Sequence, residues 1–234
     1  NLRYFYLKKT NNLDAEMFYV SQLLAKKRRF LDIGSNIGIY SYHFRNIFKN
    51  VDAFEPIKEI THRLEAIQNK YLVIHNVGIS NKKGNFQFYI PYLNGLLAPA
   101  LASLEKREGK FELRTIKVKT IDEFNFQDVD LIKIDVEGHE EFVIEGAHKT
   151  IKKTMPILIV EIEQRHIKKE INEVFLSILK LNYRGFFLQY NNLISIEEFN
   201  YDKNQKPYLQ NICIKKDKRY INNFIFIPNK KLLK

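Results

Sequence analysis

The chain has few of the residues that make covalent or metal cross-links. Its 234 residues include one cysteine, Cys213, which excludes an internal disulfide and any cysteine-based zinc site. A single thiol fits a reducing compartment, so a cytoplasmic location is expected. No apolar run approaches the ~18 residues that read as a membrane-spanning helix. The chain begins at Asn1 rather than Met, as a trimmed piece would, and no signal-peptide pattern follows. No G-K-[ST] triplet follows a glycine turn, which excludes a P-loop. There are no internal repeats and no low-complexity linker.

What is present suits a globular enzyme. A hydrophobic content of 45% supports a sizeable core, and 28% charged residues with 18 Phe do not read as disorder. The length fits one large α/β domain. The net charge of +11 points to acidic partners such as nucleic acid, anionic lipid or phosphorylated compounds. Richness in Lys, Asn, Ile and Phe, as expected from an AT-biased genome, explains the same charge without a partner.

Leu13, Met17, Val20 and Leu24 recur at helical spacing after a possible cap at Asn12 or Asp14, and predict a helix to about Arg28. Residues 1–29 are thus expected to form an N-terminal extension of strand and helix. From Phe30 the pattern alternates: strand "FLDIG", helix "IGIYSYHFRNIFK", strand "VDAFEP", helix "KEITHRLEAIQNK", strand "YLVIHNVGIS". Such alternation implies parallel βαβ units. It breaks at about 81–128, where "GNFQFYIPY" and "ELRTIKVKT" read as antiparallel strands around an aperiodic stretch. The rhythm resumes with strand "VDLIKIDVEG", helix "HEEFVIEGAHKTIKK", strand "MPILIVEIE", helix "KKEINEVFLSILKLN" and strand "RGFFLQYN". A late strand, "NNFIFIP", is the candidate antiparallel one. The expected fold is α/β: a Rossmann-like, doubly wound, mostly parallel sheet over 30–234, with an inserted antiparallel lid.

In open α/β sheets, ligands bind outside the carboxyl ends of the strands. "DIGSNIG" sits at such an end. Gly34 can take turn dihedrals that a Cβ resists, and Gly38 allows close approach of a ligand or of the helix start. Asp32 leaves a carboxylate beside the turn. That disfavours the pyrophosphate of a dinucleotide and suits a cation such as the ammonium of S-adenosylmethionine. Glu55 ends the next strand, where an acid accepts hydrogen bonds from ribose hydroxyls. Asn76 and Val77, at the third strand end, are placed to meet adenine.

The second turn, "DLIKIDVEGHEE", is more acidic. Lys133 and Asp135 share a face by period two, and Lys133 lies in an apolar run where burial needs a partner. It is predicted to pair with Asp135 or Glu161. Asp135, Glu137, His139 and Glu161 are expected to gather at one sheet edge beside the donor. Methyl transfer to a hydroxyl needs a base, worth ~10²–10⁴-fold. Asp135 and Glu137 rank ahead of His139 for that role, because a lone His at a helix start more often only hydrogen-bonds. No spacing demands a metal, and none is expected.

Taken in order, "FLDIGSNIGIYS", "AFEP", "TIDEF", "DLIKIDVEGHEEFVIEGA" and "PILIVEIE" resemble the FkbM family of methyltransferases over roughly Phe30 to Glu163. The resemblance implies a Rossmann-like fold, S-adenosylmethionine as donor, and O-methylation, often of a sugar or natural-product hydroxyl. Carried over by position, it puts Asp32, Gly34, Ser35, Asn36 and Gly38 at the donor and Glu55 on the ribose. The stretch Asp135 to His139 is expected to be the catalytic region, with the roles within it unassigned. Acceptor choice is expected in the insertion, near Asn94 to Arg107, with Ser103 and Glu161 close to the acceptor. The acceptor is expected to be a small molecule or glycan, nucleotide- or lipid-linked in some forms.

"KKRR" at Lys26 to Arg29, with Lys152 and Lys153, precedes strands and so lies opposite the expected active edge. A basic patch there could meet a membrane surface, but it would not touch the acceptor. The basic tail "NKKLLK" has no assigned position. RNA methylation gains from the charge but finds no stacked-aromatic or RNA-module signature. An inactive scaffold would show degraded turns, and both turns are intact.

Overall fold

The computed structural model describes residues 2–106, 108–211 and 219–231. Cys213, Arg107 and the end of the basic tail, residues 232–234, lie outside the described residues. The strands in chain order are β1 (Arg29–Ile33), β2 (Asn50–Phe54), β3 (Leu72–His75), β4 (Gly78–Ile79), β5 (Gly84–Leu93), β6 (Leu96–Leu97), β7 (Phe111–Lys119), β8 (Val129–Ile134), β9 (Ile157–Glu161), β10 (Tyr183–Gln189), β11 (Asn192–Ser195) and β12 (Asn223–Pro228). The helices are α1 (Leu2–Lys9), α2 (Ala15–Leu23), α3 (Ile39–Phe44), α4 (Lys58–Glu65), α5 (Glu140–Gly146), α6 (His148–Thr154), α7 (Ile171–Leu179) and α8 (Tyr201–Asn204).

Eight strands form the main sheet in the order β11-β10-β12-β9-β8-β1-β2-β3. β1 pairs in parallel with both β2 and β8, so the strand order reverses around β1, where ligand crevices form in open sheets. β12 runs antiparallel to both β9 and β10, as "NNFIFIP" suggested. Side-chain alternation sends the two faces into two cores. Leu31, Ile132, Ile134, Phe224 and Phe226 pack on the side of α5 and α7. Phe30, Leu131, Ile225 and Ile227 pack on the other side, with Met17, Val20 and Leu24 of the N-terminal segment. The helical spacing read in that segment is therefore its core-facing stripe.

Three expectations change in detail. α1 precedes the predicted helix and was not expected. "YLVIHNVGIS" is two strands, because a tight Val77 N–H to His75 carbonyl bond of 2.9 Å turns the chain between β3 and β4. "HEEFVIEGAHKTIKK" breaks at Ala147 into α5 and α6.

The insertion forms its own sheet in the order β4-β7-β5-β6, with β5 and β7 antiparallel as read. Its core joins Phe88, Ile90, Ile116 and Val118 to Ile57 and Ile60, which flank the start of α4. The Arg114 guanidinium fastens the same junction by bonding both carboxylate oxygens of Glu59 at 2.9 Å.

Candidate active site

The first turn is tied to the protein itself. The amides of Gly34 and Ser35 both donate to the Phe54 carbonyl at 3.0 Å, and the Gly38 amide donates to the Ser35 carbonyl at 2.8 Å. The Asn36 amide donates to Glu55 Oε2 at 3.0 Å. A phosphate cradle needs such amides free, so this turn is not one. Its glycines answer to packing. Gly34 has a φ of +76°, and a Cβ there would lie 1.8 Å from the Asp135 carbonyl oxygen. Gly38 has a φ of +73°, and a Cβ there would meet Leu64 and Ile67. Of the two reasons read for Gly38, helix packing is the one realised.

Asp32 is buried, and its Oδ2 accepts from the Ser41 hydroxyl at 2.5 Å and the Ser41 amide at 2.9 Å. Burial pushes this carboxyl up to about 6 despite those bonds. Glu55 is buried as well. Its Oε1 accepts from the Ile57 amide at 2.8 Å, and burial pushes it up to about 7. Each of its oxygens accepts one protein bond and keeps capacity for another. Asn76 does not line either cavity described below. Its amide donates to the carbonyls of Glu55 and Pro56, both at 3.0 Å, and so holds the β2–α4 loop.

Asp135, Glu137 and His139 line one narrow slot together with Glu55, while their side chains are tied to different partners and Glu161 lines neither of the cavities described below. Lys133, 1% exposed, lies 3.6 Å from Asp135 and 3.6 Å from Glu161, and it donates to Asn223 Oδ1 at 3.1 Å. The predicted pairing is thus met by both acids at once. Glu161 also accepts from the Asn222 amide at 2.6 Å. Glu137, with a φ of +58°, turns away to His166, 2.9 Å distant. His139 is clamped between Glu105 Oε1 at 2.7 Å and Ser80 Oγ at 2.8 Å. Ser103 also departs from expectation. It is buried, with its hydroxyl on the Val136 carbonyl at 3.3 Å, and it fastens the insertion instead of facing an acceptor.

Two cavities meet at this edge. A narrow slot of about 70 Å³ is lined by Ile33, Phe54, Glu55, Val77, Val136 and neighbours. A wide cleft of about 1040 Å³ is lined by Asp32, Ser35, Tyr40, Lys133 and, from outside the motifs, Arg3, Asp14, Arg63 and Arg114. Gly34, Asn36, Pro99, Ala100 and Asp135 line both. The Asp135 side chain is 35% exposed there. Burial pushes its carboxyl up, and the Lys133 ammonium pulls it back. Asp14, read as a cap, makes no side-chain cap bond and instead accepts from the Tyr40 hydroxyl at 3.1 Å. Nothing in local spacing announces that role, because Tyr40 is 26 residues away.

The residues fit an adenosine-bearing cation. The buried Ser35 Oγ has no hydrogen-bond partner among the described residues, and the slot is lined by Glu55, Asp135 and Glu137 with no Lys or Arg, whereas the cleft carries acids and bases together. No group of three metal-ligating side chains occurs among the described residues. The expected basic patch is partly spent. Arg28 pairs with Asp130 at 2.6 Å, and Arg29 pairs with Asp128 at 2.7 Å and also with Asp52. Among the described residues no helix is long and apolar enough to cross a membrane.

The strand order, with β12 antiparallel between β9 and β10, and the crevice at the β1 carboxyl end define a class I methyltransferase fold. A family model described as the methyltransferase FkbM domain matches residues 32–187, and the chain belongs to that family of S-adenosylmethionine-dependent methyltransferases. Among solved structures it is similar to methyltransferase FkbM from Methylobacillus flagellatus KT, with 17% identity and a TM-score of 0.58. That match covers 90% of this chain and 47% of the other, so this chain spans about half that protein's length. It is also similar to a TehB-like SAM-dependent methyltransferase from Corynebacterium glutamicum ATCC 13032 Kitasato, with 9% identity, a TM-score of 0.50, and coverage of 97% and 95%. No curated protein matches the chain.

Proposed function

We propose that the protein is an O-methyltransferase acting on a hydroxyl of a sugar, glycan or related small molecule. The observation that supports this is the place of Asp135, whose residue lines both the narrow slot and the wide cleft. The slot would take the adenosine, with Glu55 accepting from the ribose hydroxyls and Ile33, Phe54 and Val77 packing on the base. Asp32 and Ser35 would meet the amino-acid end across the first turn. When bound, S-adenosylmethionine supplies an electrophilic methyl group.

The acceptor would enter by the wide cleft. Its hydroxyl is a poor nucleophile while protonated, so a carboxylate within reach is needed to take the proton. Asp135 reaches the wide cleft as well as the slot, whereas Glu137 and His139 line the slot alone and are bonded to His166 and to Glu105 with Ser80. Lys133 keeps the negative charge of Asp135 and Glu161 compatible with burial. RNA methylation has less support, since Arg28 and Arg29 are neutralised by neighbouring aspartates.

Calorimetry with S-adenosylmethionine and its demethylated product tests the donor site. Both should bind, and Glu55→Gln should weaken them about tenfold, the loss of roughly one charged hydrogen bond. No donor binding alongside tight NAD binding would sink the proposal. Labelled methyl transfer to a panel of free and nucleotide-linked sugars tests the acceptor class.

A further inference from the structure

A third cavity, of about 610 Å³, adjoins the wide cleft. The two share Asn12, Leu13 and Asp14 in their walls, so an extended ligand can occupy both. Asn222 and Asn223 also line the third cavity and tie it to the site. The Asn222 amide donates to Glu161 at 2.6 Å, and Asn223 Oδ1 accepts from Lys133 at 3.1 Å. The volume falls in the range of small-molecule sites, roughly 300–1,000 Å³. Its lining has a definite chemistry. Four aromatic residues, Phe18, Tyr19, Tyr190 and Tyr220, stand with the side-chain amides of Gln22 and Asn191. Among the described residues that line it none is Lys or Arg, in a chain where 38 of 234 residues are. Amides donate and accept hydrogen bonds, as sugar hydroxyls do, and aromatic faces pack on the C–H faces of sugar rings. A phosphate would call for cations instead.

Tyr190 adds a second observation. β10 and β11 pair out to Gln189 and Asn192, so their hairpin loop is two residues, Tyr190 and Asn191. Both have positive φ, +50° and +65°. Loops of this kind favour Asn-Gly, and a tyrosine in the left-handed region is strained. Packing does not repay the strain, because Tyr190 is 70% exposed. An aromatic ring held in a strained turn at the edge of a cavity suits a ligand that stacks on it. We propose that the third cavity is a subsite for a neutral sugar unit of the acceptor, next along the chain from the unit whose hydroxyl meets Asp135. The subsite rests on the glycan reading of the acceptor and narrows it to an oligosaccharide.

Saturation-transfer NMR of the whole chain with glucose, maltotriose, cellotriose and triacetylchitotriose tests the subsite without methyl transfer. At least one trisaccharide should bind more tightly than glucose, and Tyr190→Gly should weaken that binding about tenfold, the worth of one aromatic contact. The same variant relaxes the turn, so its melting temperature should rise by about 2 °C, where loss of a structural side chain would lower it. Calorimetry with the demethylated donor should be unchanged. With an oligosaccharide acceptor, Tyr190→Gly should raise KM about tenfold and leave kcat as it was. Absence of trisaccharide binding overturns the subsite, as does binding that Tyr190→Gly leaves intact. Trisaccharide binding lost in Tyr190→Gly, with no saccharide methylated, would uphold the subsite and sink the glycan methyl-transfer reading. Methylation of single sugars with no preference for longer ones would do the reverse.

Discussion

In the turn from Asp32 to Gly38, backbone amides are committed to Phe54, Ser35 and Glu55, and the Asp32 carboxylate is drawn onto Ser41. In the turn from Asp135 to His139, the side chains go three ways: to Lys133, to His166, and to Glu105 with Ser80. The first turn is a rigid shelf whose parts hold one another. The second is a junction at which sheet, helix and insertion are joined, with one carboxylate left facing the cleft. Glycine followed by acids thus has two physical meanings in the same sheet. Which meaning applies depends on what the backbone amides and carboxylates touch.

The largest expected effect breaks the shelf. Gly34→Ala adds a Cβ 1.8 Å from a backbone oxygen at a φ of +76°, so neighbouring strands must part. A loss of roughly 4 kcal/mol is expected in urea unfolding, with donor binding lost as well. Gly38→Ala meets only the ends of Leu64 and Ile67, which can move, and should cost about 1–2 kcal/mol. Equal losses would show that the two glycines share one reason.

Next comes the division of labour in the second turn. Asp135→Asn should keep donor binding and lower turnover ~10²–10⁴-fold, the worth of a positioned base. Glu137→Gln removes a buried partner of His166 instead, so it should lower stability by about 1–3 kcal/mol and turnover less than tenfold. Labelled methyl transfer and thermal melting, measured on both variants, separate the two roles. A turnover defect in Glu137→Gln as large as that in Asp135→Asn would return the acidic stretch to a single functional wall.

Raised carboxyls lie in or beside both turns. Burial lifts Asp32 to about 6, and Glu55 and Glu140 to about 7. The folded chain therefore holds protons that the unfolded chain has released near 4. Their contribution is complete below about pH 4 and is lost as pH rises through about 7. Unfolding free energy without ligand should fall between pH 5 and 7.5, at up to ~1.4 kcal/mol per pH unit for each of the three groups. Glu55→Gln and Glu140→Gln should each flatten the slope. A profile that rises over this window would mean the carboxylates are ionised and paired in the fold.

The rhythm of strands and helices was legible because burial marks the sequence: wholly buried runs in β8 and β12, alternation in β7, and a spacing near 3.6 along Met17, Val20 and Leu24. The pairing of Lys133 followed from the cost of burying an ammonium alone. α1 was not legible, because it buries only Tyr4 and so carries no apolar stripe. The break between β3 and β4 falls at His75 to Val77, where two polar residues are too short an interruption to announce it. The parts of the site that escaped the sequence are non-local. Asp14 finds Tyr40, and His139 finds Glu105 and Ser80, which lie 34 and 59 residues away in the chain. A hydrogen bond between distant segments leaves no period behind, so the sequence did not show that His139, which lines the slot, also latches α5 to the insertion.

That latch yields the smallest expected effect and the finest test of the comparison. His139 joins α5 to the insertion through Glu105 and Ser80, beside the Ser103 bond to Val136. Glu105→Gln removes the charge and keeps the shape, so global stability should fall by about 1 kcal/mol or less. The insertion end, however, has few other polar ties to the main sheet, so its local opening should change more than the global value. Limited proteolysis within 94–110 should quicken about fivefold for Glu105→Gln and for Ser80→Ala, with the main sheet resistant. If His139 were instead the base, Glu105→Gln would move the pH profile of turnover and leave cleavage unchanged. A latch makes the opposite prediction, because it moves cleavage and not the profile.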